Sequence, residues 1–229
     1  GYDVTVFEKE ATAGGALRYA IPDYAGHKAL LDEEVENLKD CGVKFVFGKT
    51  VSDISDLKAE GFEKVFAAVG ANKKAAAPME GEDAREFLYK VNCGEKPAVS
   101  ERVVVIGGGF AAVDAARCAV RLGAKNVTVL NPAGFSKRSG DAEALNEAKE
   151  EGVVLFDKVQ ITEIAPDAVY FTKDGADMRI KCDQVIVENA YVAEVPAGDE
   201  DTLVITSAKI TNIISAITAG KNAAAGIDK

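Results

Sequence analysis

Val103-Val104-Val105-Ile106-Gly107-Gly108-Gly109-Phe110-Ala111-Ala112-Val113-Asp114 is the stretch on which the fold turns. The apolar β-branched run reads as a strand, the three glycines as a tight turn, and the alanine-rich continuation as a helix over 111–122. The spacing is GxGxxA. Gly107 permits the turn, Gly109 lets backbone approach a pyrophosphate, and Ala112 is small enough for helix and strand to pack closely. The helix N-terminus then presents unpaired N–H groups and a positive dipole end to an anion. Strand, turn and helix in this order are the context the motif requires. The pattern marks Gly107, Gly108, Gly109, Phe110 and Ala111 as candidate dinucleotide contacts. A glycine turn kept only for packing is the alternative.

The next strand is expected at Val127–Leu130, after Gly123 as a helix C-cap. An acidic residue at its end would hold a ribose 2′-hydroxyl, and Asn131 stands there instead, able to hydrogen-bond but uncharged. Lys137 and Arg138 could meet a 2′-phosphate or be a solvated loop, so NAD and NADP stay open.

Strands and helices alternate throughout. Strands are expected at 3–7, 43–47, 65–69 (buried), 153–156, 185–187 and 203–205, with short antiparallel strands at 159–164, 168–172 and 178–181. Helices are expected at 28–41, 53–60, 84–93, 141–151 and 211–227; in the first, Leu30, Leu31, Val35 and Leu38 share a face. Gly14 to Pro22 and 71–83 read as loops, and Gly94-Glu95-Lys96-Pro97 as a linker. The alternation means an α/β fold with a mostly parallel sheet, in two nucleotide-type (Rossmann-like, three-layer) domains. The chain opens on Gly1, in what reads as a strand already under way, so a longer parent is expected.

Composition narrows the function. In 229 residues, 27 Lys and Arg face 37 Asp and Glu, a formal charge of -10 that argues against nucleic acid or an anionic membrane as partner. No apolar stretch approaches the roughly 18 residues of a transmembrane helix. Cys41, Cys93, Cys118 and Cys182 lie far apart with no CxxC pair, which suggests neither disulfides, zinc nor a cluster, and a reducing, cytoplasmic setting. Cys41, Cys118 and Cys182 read as small core residues and His27, the single histidine, as a surface residue. Asp114, in the first turns of the glycine-loop helix, suits the dipole there. No nucleophile, base and orienting group can be assembled into a triad.

Further stretches complete the picture: Val4-Thr5-Val6-Phe7-Glu8-Lys9, Ala13-Gly14-Gly15-Ala16-Leu17-Arg18-Tyr19-Ala20-Ile21-Pro22, Ala67-Ala68-Val69-Gly70-Ala71, Phe87-Leu88-Tyr89-Lys90-Val91-Asn92 and Ala216-Ile217-Thr218-Ala219-Gly220-Lys221. With the glycine loop and Asp114-Ala115-Ala116-Arg117, the chain resembles the small (beta) subunit of glutamate synthase and related pyridine nucleotide-dependent flavin oxidoreductases. Residues 49–66 also look like the flavoprotein region of selenate reductase-like proteins, a branch of the same group.

The resemblance implies an FAD-type domain at 1–97, an NAD(P)-type domain inserted at 98–190, and a return to the first at 191–229. It implies NAD(P)H and FAD as cofactors, hydride transfer from nicotinamide to flavin N5, and electrons passing on to an iron–sulfur domain or partner subunit. Glu8 matches the carboxylate on the FAD ribose, Gly14 and Gly15 the turn near the flavin, and Gly70 a close-approach glycine. Thr211 and Ile213 match the start of the final helix facing the flavin. The sequence departs from the family in four ways. The chain starts too late to hold the first FAD glycine motif, which fits either reading; it lacks the Gly-Asp pair before the last helix and the arginines after Leu130, and it has Phe110 for a family asparagine. A Rossmann-type structural module that has lost flavin is therefore the second reading.

Overall fold

In the computed structural model, residues 2–75, 79–135, 139–197, 203–204 and 213–227 are described. In chain order the elements are β1 (Thr5–Glu8), α1 (Gly15–Tyr19), α2 (Lys28–Asp40), β2 (Lys44–Phe47), α3 (Ile54–Ala59), β3 (Phe66–Ala67), β4 (Lys73–Lys74), β5 (Glu82–Asp83) and α4 (Ala84–Asn92). They continue with β6 (Arg102–Ile106), α5 (Phe110–Arg121), β7 (Asn126–Asn131), α6 (Ser139–Glu150), β8 (Val154–Asp157), β9 (Gln160–Ala165), β10 (Ala168–Lys173), β11 (Ala176–Lys181) and β12 (Gln184–Val187). The last are β13 (Tyr191–Val192), β14 (Leu203–Val204) and α7 (Ile213–Ile227).

The chain divides into two units, one of residues 1–13, 38–78 and 190–229, the other of 14–37 and 79–189. In the first, β1 pairs with β2 in parallel, β3 with β14 in parallel, and β4 with β13 antiparallel. Asp53 caps α3 by accepting from Ser55 N–H at 2.8 Å, as its position before the apolar face Ile54 and Leu57 dictates.

The second unit is built on a five-stranded parallel sheet in the order β5-β12-β6-β7-β8. Its central strand explains why a continuous apolar run was needed, because β6 is covered on both faces. Val103 and Val105 meet α4, α5 and α6 through Phe87, Leu88, Ala112, Ala115, Ala116 and Ala148. Val104 and Ile106 point the other way, onto Val169 and Phe171 of an antiparallel meander, β9-β10-β11. Alternation along one strand thus fills two cores. Helix α5 fits against the sheet because alanines line its inner face, and Gly123 (φ 110°) closes it, with Ala124 N–H donating to Ala119 C=O at 3.0 Å.

Several sequence expectations change. The buried strand at 65–69 shrinks to Phe66–Ala67, with Phe66 at the surface, because only Ala67 turns inward. The loop at 71–83 contains β4 and β5, short ladders created by distant partners, and the loop after Gly14 contains α1. None of the residues of α2 is buried: Leu31, which lies against Gly14, and Val35 are half-buried, whereas Leu30 and Leu38 are exposed. Cys41 is exposed rather than in the core, because it sits in the turn after α2.

One ionic cluster pins residues 14–37 to the rest of the second unit. The Tyr24 ring lies under the Arg117 and Arg121 guanidiniums, 4.3 and 4.1 Å away, and its hydroxyl donates to Asp114 Oδ1 at 3.0 Å. Burial pushes the Asp114 carboxyl up to about 6, the Tyr24 bond and Arg117 opposing only in part. The folded state therefore holds this proton more tightly than the unfolded chain, whose ordinary carboxyl loses it near 4. Stability from Asp114 should rise as pH falls through about 6 and level off below about 4, by at most about 3 kcal/mol. Melting curves of the wild type and Asp114→Asn between pH 7 and 4 check this. The wild type should gain on the variant towards acid, and parallel curves would refute it.

Candidate functional site

The site grows from the sheet order. From β6 the chain moves outward through α5 to β7 and through α6 to β8, then returns across the meander to β12 on the other side of β6. The switch point lies between β6 and β12, and in such sheets the crevice beyond the strand C-termini is where ligands bind. The glycine loop follows β6, and Glu188 is the first residue past β12.

Backbone bonds fix both segments. Gly107 N–H donates to Leu130 C=O at 3.0 Å, and Glu188 N–H donates to Ile106 C=O at 2.8 Å. Gly107 has φ 149°, and a Cβ there would lie 2.5 Å from the Glu188 Cβ and 3.0 Å from that of Ala112. A Cβ on Gly108 would lie 2.2 Å from the Asn131 amide group. Gly109 is the N-cap of α5 and has no side chain to close the helix end. The closure comes from Glu188, whose Oε2 accepts from Gly108 N–H at 3.0 Å and from Gly109 N–H at 2.7 Å. The loop thus directs two backbone donors at one anionic oxygen, which is the geometry a diphosphate oxygen requires.

Of the residues named from sequence, Gly107, Gly108, Gly109, Phe110, Ala111 and Asn131 come together here. Phe110 opens α5 with its ring 62 % exposed, and Ala111 is half-buried. Asn131 is fully buried; its Oδ1 accepts from Ala133 and Gly134 N–H at 3.0 and 3.3 Å, and its Nδ2 has no partner among the described residues. Glu188 was not among the sequence candidates. Its one signal in the sequence is position, as the first acidic residue after the strand expected at 185–187.

The residues matched to flavin binding fall elsewhere. Glu8, at the end of β1, accepts from Glu10 N–H at 3.0 Å and belongs to the first unit, as do Gly70 (φ 64°) and Ile213, the exposed first residue of α7. Gly14 (φ 131°) and Gly15 (φ 48°) belong to the second, where a Cβ on Gly14 would strike Leu31. Thr211, Lys137 and Arg138 lie outside the described residues. Among the described residues no group of three or more His, Cys, Asp or Glu is placed to hold a metal ion, and no helix is long and apolar enough to cross a membrane.

Fold and loop together define a nucleotide-binding α/β protein of Rossmann type. The sequence pattern of the family described as "Pyridine nucleotide-disulphide oxidoreductase" matches residues 1–202, and the chain belongs to that family of oxidoreductases. The disulphide of the family's name has no counterpart among the described residues, where all four cysteines are free.

Relatives include the beta subunit of the NADPH-Fe(3+) oxidoreductase of Geobacter sulfurreducens, 31 % identical over 182 residues, covering 73 % of this chain and 27 % of that protein. A protein of Cereibacter sphaeroides described as an NADPH glutamate synthase small chain is 33 % identical over 172 residues, 67 % of this chain and 41 % of that one. The PreT subunit of the NAD-dependent dihydropyrimidine dehydrogenase of Escherichia coli is 27 % identical over 210 residues, 87 % and 51 %. The chain thus spans about a quarter to a half of these relatives' length. Among solved structures, histamine dehydrogenase from Rhizobium sp. 4-9 has the same fold over all of this chain and 38 % of its own, at 20 % identity and TM-score 0.78. FprA of Mycobacterium tuberculosis in complex with NADPH matches 98 % of this chain and 78 % of its own, at 14 % identity and TM-score 0.69.

Proposed function

We propose that this chain is the nicotinamide-binding part of an electron-transfer flavoprotein, whose glycine loop 107–109 takes the diphosphate of NADH or NADPH. The observation that carries the reading is the convergence of Gly108 and Gly109 N–H on a single carboxylate oxygen. Ala112 lets α5 approach β6 closely enough to aim both donors. The exposed Phe110 ring stands at the same helix end, where it would bound the space for the nicotinamide-bearing half. Asn131 Nδ2, at the end of β7 and packed against Gly108, is a buried donor with no partner among the described residues, and we assign Asn131 to the ligand's ribose side.

A bound flavin would supply two-electron acceptance from the reduced nicotinamide and one-electron release to the next carrier. Glu8, Gly14, Gly15, Gly70, Thr211 and Ile213 are the residues proposed to face FAD. Glu8, Gly70 and Ile213 belong to the first unit, Gly14 and Gly15 to the second. The proposed division by role is an FAD-type part at 1–97 and 191–229 around an NAD(P)-type part at 98–190. The electrons would go to an iron–sulfur domain or another subunit; the subunit names of relatives support the second.

The test is an absorbance spectrum of the purified parent protein followed by anaerobic titration with NADH and with NADPH. A flavin band near roughly 450 nm that bleaches on titration is expected, and the more effective nucleotide gives the preference. Binding of neither nucleotide would overturn the reading and leave the second one, a structural module of a larger redox assembly. The carboxylate already seated on the loop is the observation that favours that second reading.

A further inference from the structure

We propose that Glu188 is an internal stand-in for the diphosphate, a plug that closes the glycine loop until a dinucleotide displaces it; this rests on the dinucleotide reading of the same loop. Its Oε2 takes both converging N–H donors, at 3.0 and 2.7 Å. Its Oε1 lies 2.3 Å from where a Cβ on Gly109 would stand, so the carboxylate fills the space that a side-chain-free loop leaves for a ligand. The Asn131 amide lies against Gly108, fully buried and with Nδ2 unpaired among the described residues. A loop shaped for packing alone would satisfy its donors with the carboxylate but would not leave a buried donor unused beside them.

The two anions exclude one another. A diphosphate seated on Gly108 and Gly109 would share its donors with Glu188 and face its negative charge at contact distance, with the positive end of α5 unable to serve both. Binding therefore requires the Glu188 side chain to leave. The plug sets a threshold that weak or singly charged anions do not pass, whereas a dinucleotide recovers the lost bonds through its diphosphate and its further contacts. Glu188 is thus a residue that determines which anion the loop accepts.

The experiment is calorimetric titration of inorganic pyrophosphate and of NADPH into the wild type, Glu188→Ala and Glu188→Gln. Glu188→Gln keeps the size and one acceptor while removing the charge, so it carries the comparison if Glu188→Ala fails to fold. Removing a charged occupant of two hydrogen bonds should tighten binding of both probes by about tenfold or more. Tighter pyrophosphate in the variants with no NADPH binding upholds the plug and overturns the dinucleotide reading. Equal NADPH affinity in all three proteins overturns the plug and leaves that reading standing. No binding of either probe by any of the three overturns both.

Discussion

Gly107→Ala should destabilise the second unit by about 3 kcal/mol, a fall in melting temperature of roughly 6–12 °C for a chain of this size. Two separate costs add. The first is backbone: φ 149° is a conformation that a residue with a side chain rarely adopts. The second is space, since the new Cβ would stand 2.5 Å from the Glu188 Cβ and 2.7 Å from its Oε2. The carboxylate could swing aside, but the Cβ is fixed by the strand behind it. Gly152→Ala separates the two costs, because Gly152 has φ 92° and nothing within 4 Å of an added Cβ. It should lose about 1 kcal/mol. Urea denaturation of both variants reads the difference, and equal losses would mean that the packing around Gly107 contributes nothing.

Arg117→Ala should be as damaging, about 3–5 kcal/mol. Arg117 is 5 % exposed, yet its guanidinium serves Glu147 at 2.8 Å, Glu151 at 2.7 Å and the face of Tyr24. Burial raises the Glu151 carboxyl, but the hydrogen bonds from Arg117 and Arg121 outweigh it, so the group stays well ionised in the fold. Without Arg117 that charge is left half-buried with Arg121 alone, while Asp114 loses a compensating cation. Arg117→Met keeps most of the apolar stem and isolates the charge. Combining it with Glu151→Gln should restore much of the loss, because a buried pair costs most when only one partner is removed. A cycle in which the two losses simply add would show the ion pair to be energetically idle.

The same two clusters show what the sequence could and could not reveal. Strand β6 and helix α5 were legible because periodicity, glycine turn and alanine face all agree locally, and agreement of that kind survives folding. The meander was legible for the same reason. What was not legible is what long-range pairing creates. Strands β4, β5 and β13 are two residues each, too short to carry a period, and exist only because Lys73–Lys74 meets Tyr191–Val192 and Glu82–Asp83 meets Ile186–Val187. The apolar stripe of α2 was a sound amphipathic pattern, but a pattern does not say whether a partner covers it. Glu188 was invisible as a site residue because its role depends on β12 settling beside β6, some eighty residues away in sequence.

Asn131 shows the converse. Its place after the strand expected at 127–130 marks it as able to bond a ribose, and the structure makes it the final residue of β7. Its side chain is turned inward by the bonds to Ala133 and Gly134, so one amide group both shapes the following turn and packs the glycine loop.

The anchoring on either side of Glu188 has a consequence for time. Val187 before it is locked into the sheet, and Asn189 after it donates to Asp83 Oδ2 at 2.9 Å and accepts from Met79 N–H at 3.1 Å, with Asp83 itself the N-cap of α4. The backbone at this corner has nowhere to go. Freeing the loop is then a matter of side-chain torsions alone, a change on the order of nanoseconds rather than the microseconds to milliseconds of a moving lid. The ligand would then displace one side chain rather than wait for a segment of backbone to open, so arrival and charge, not a moving lid, would govern how fast it binds.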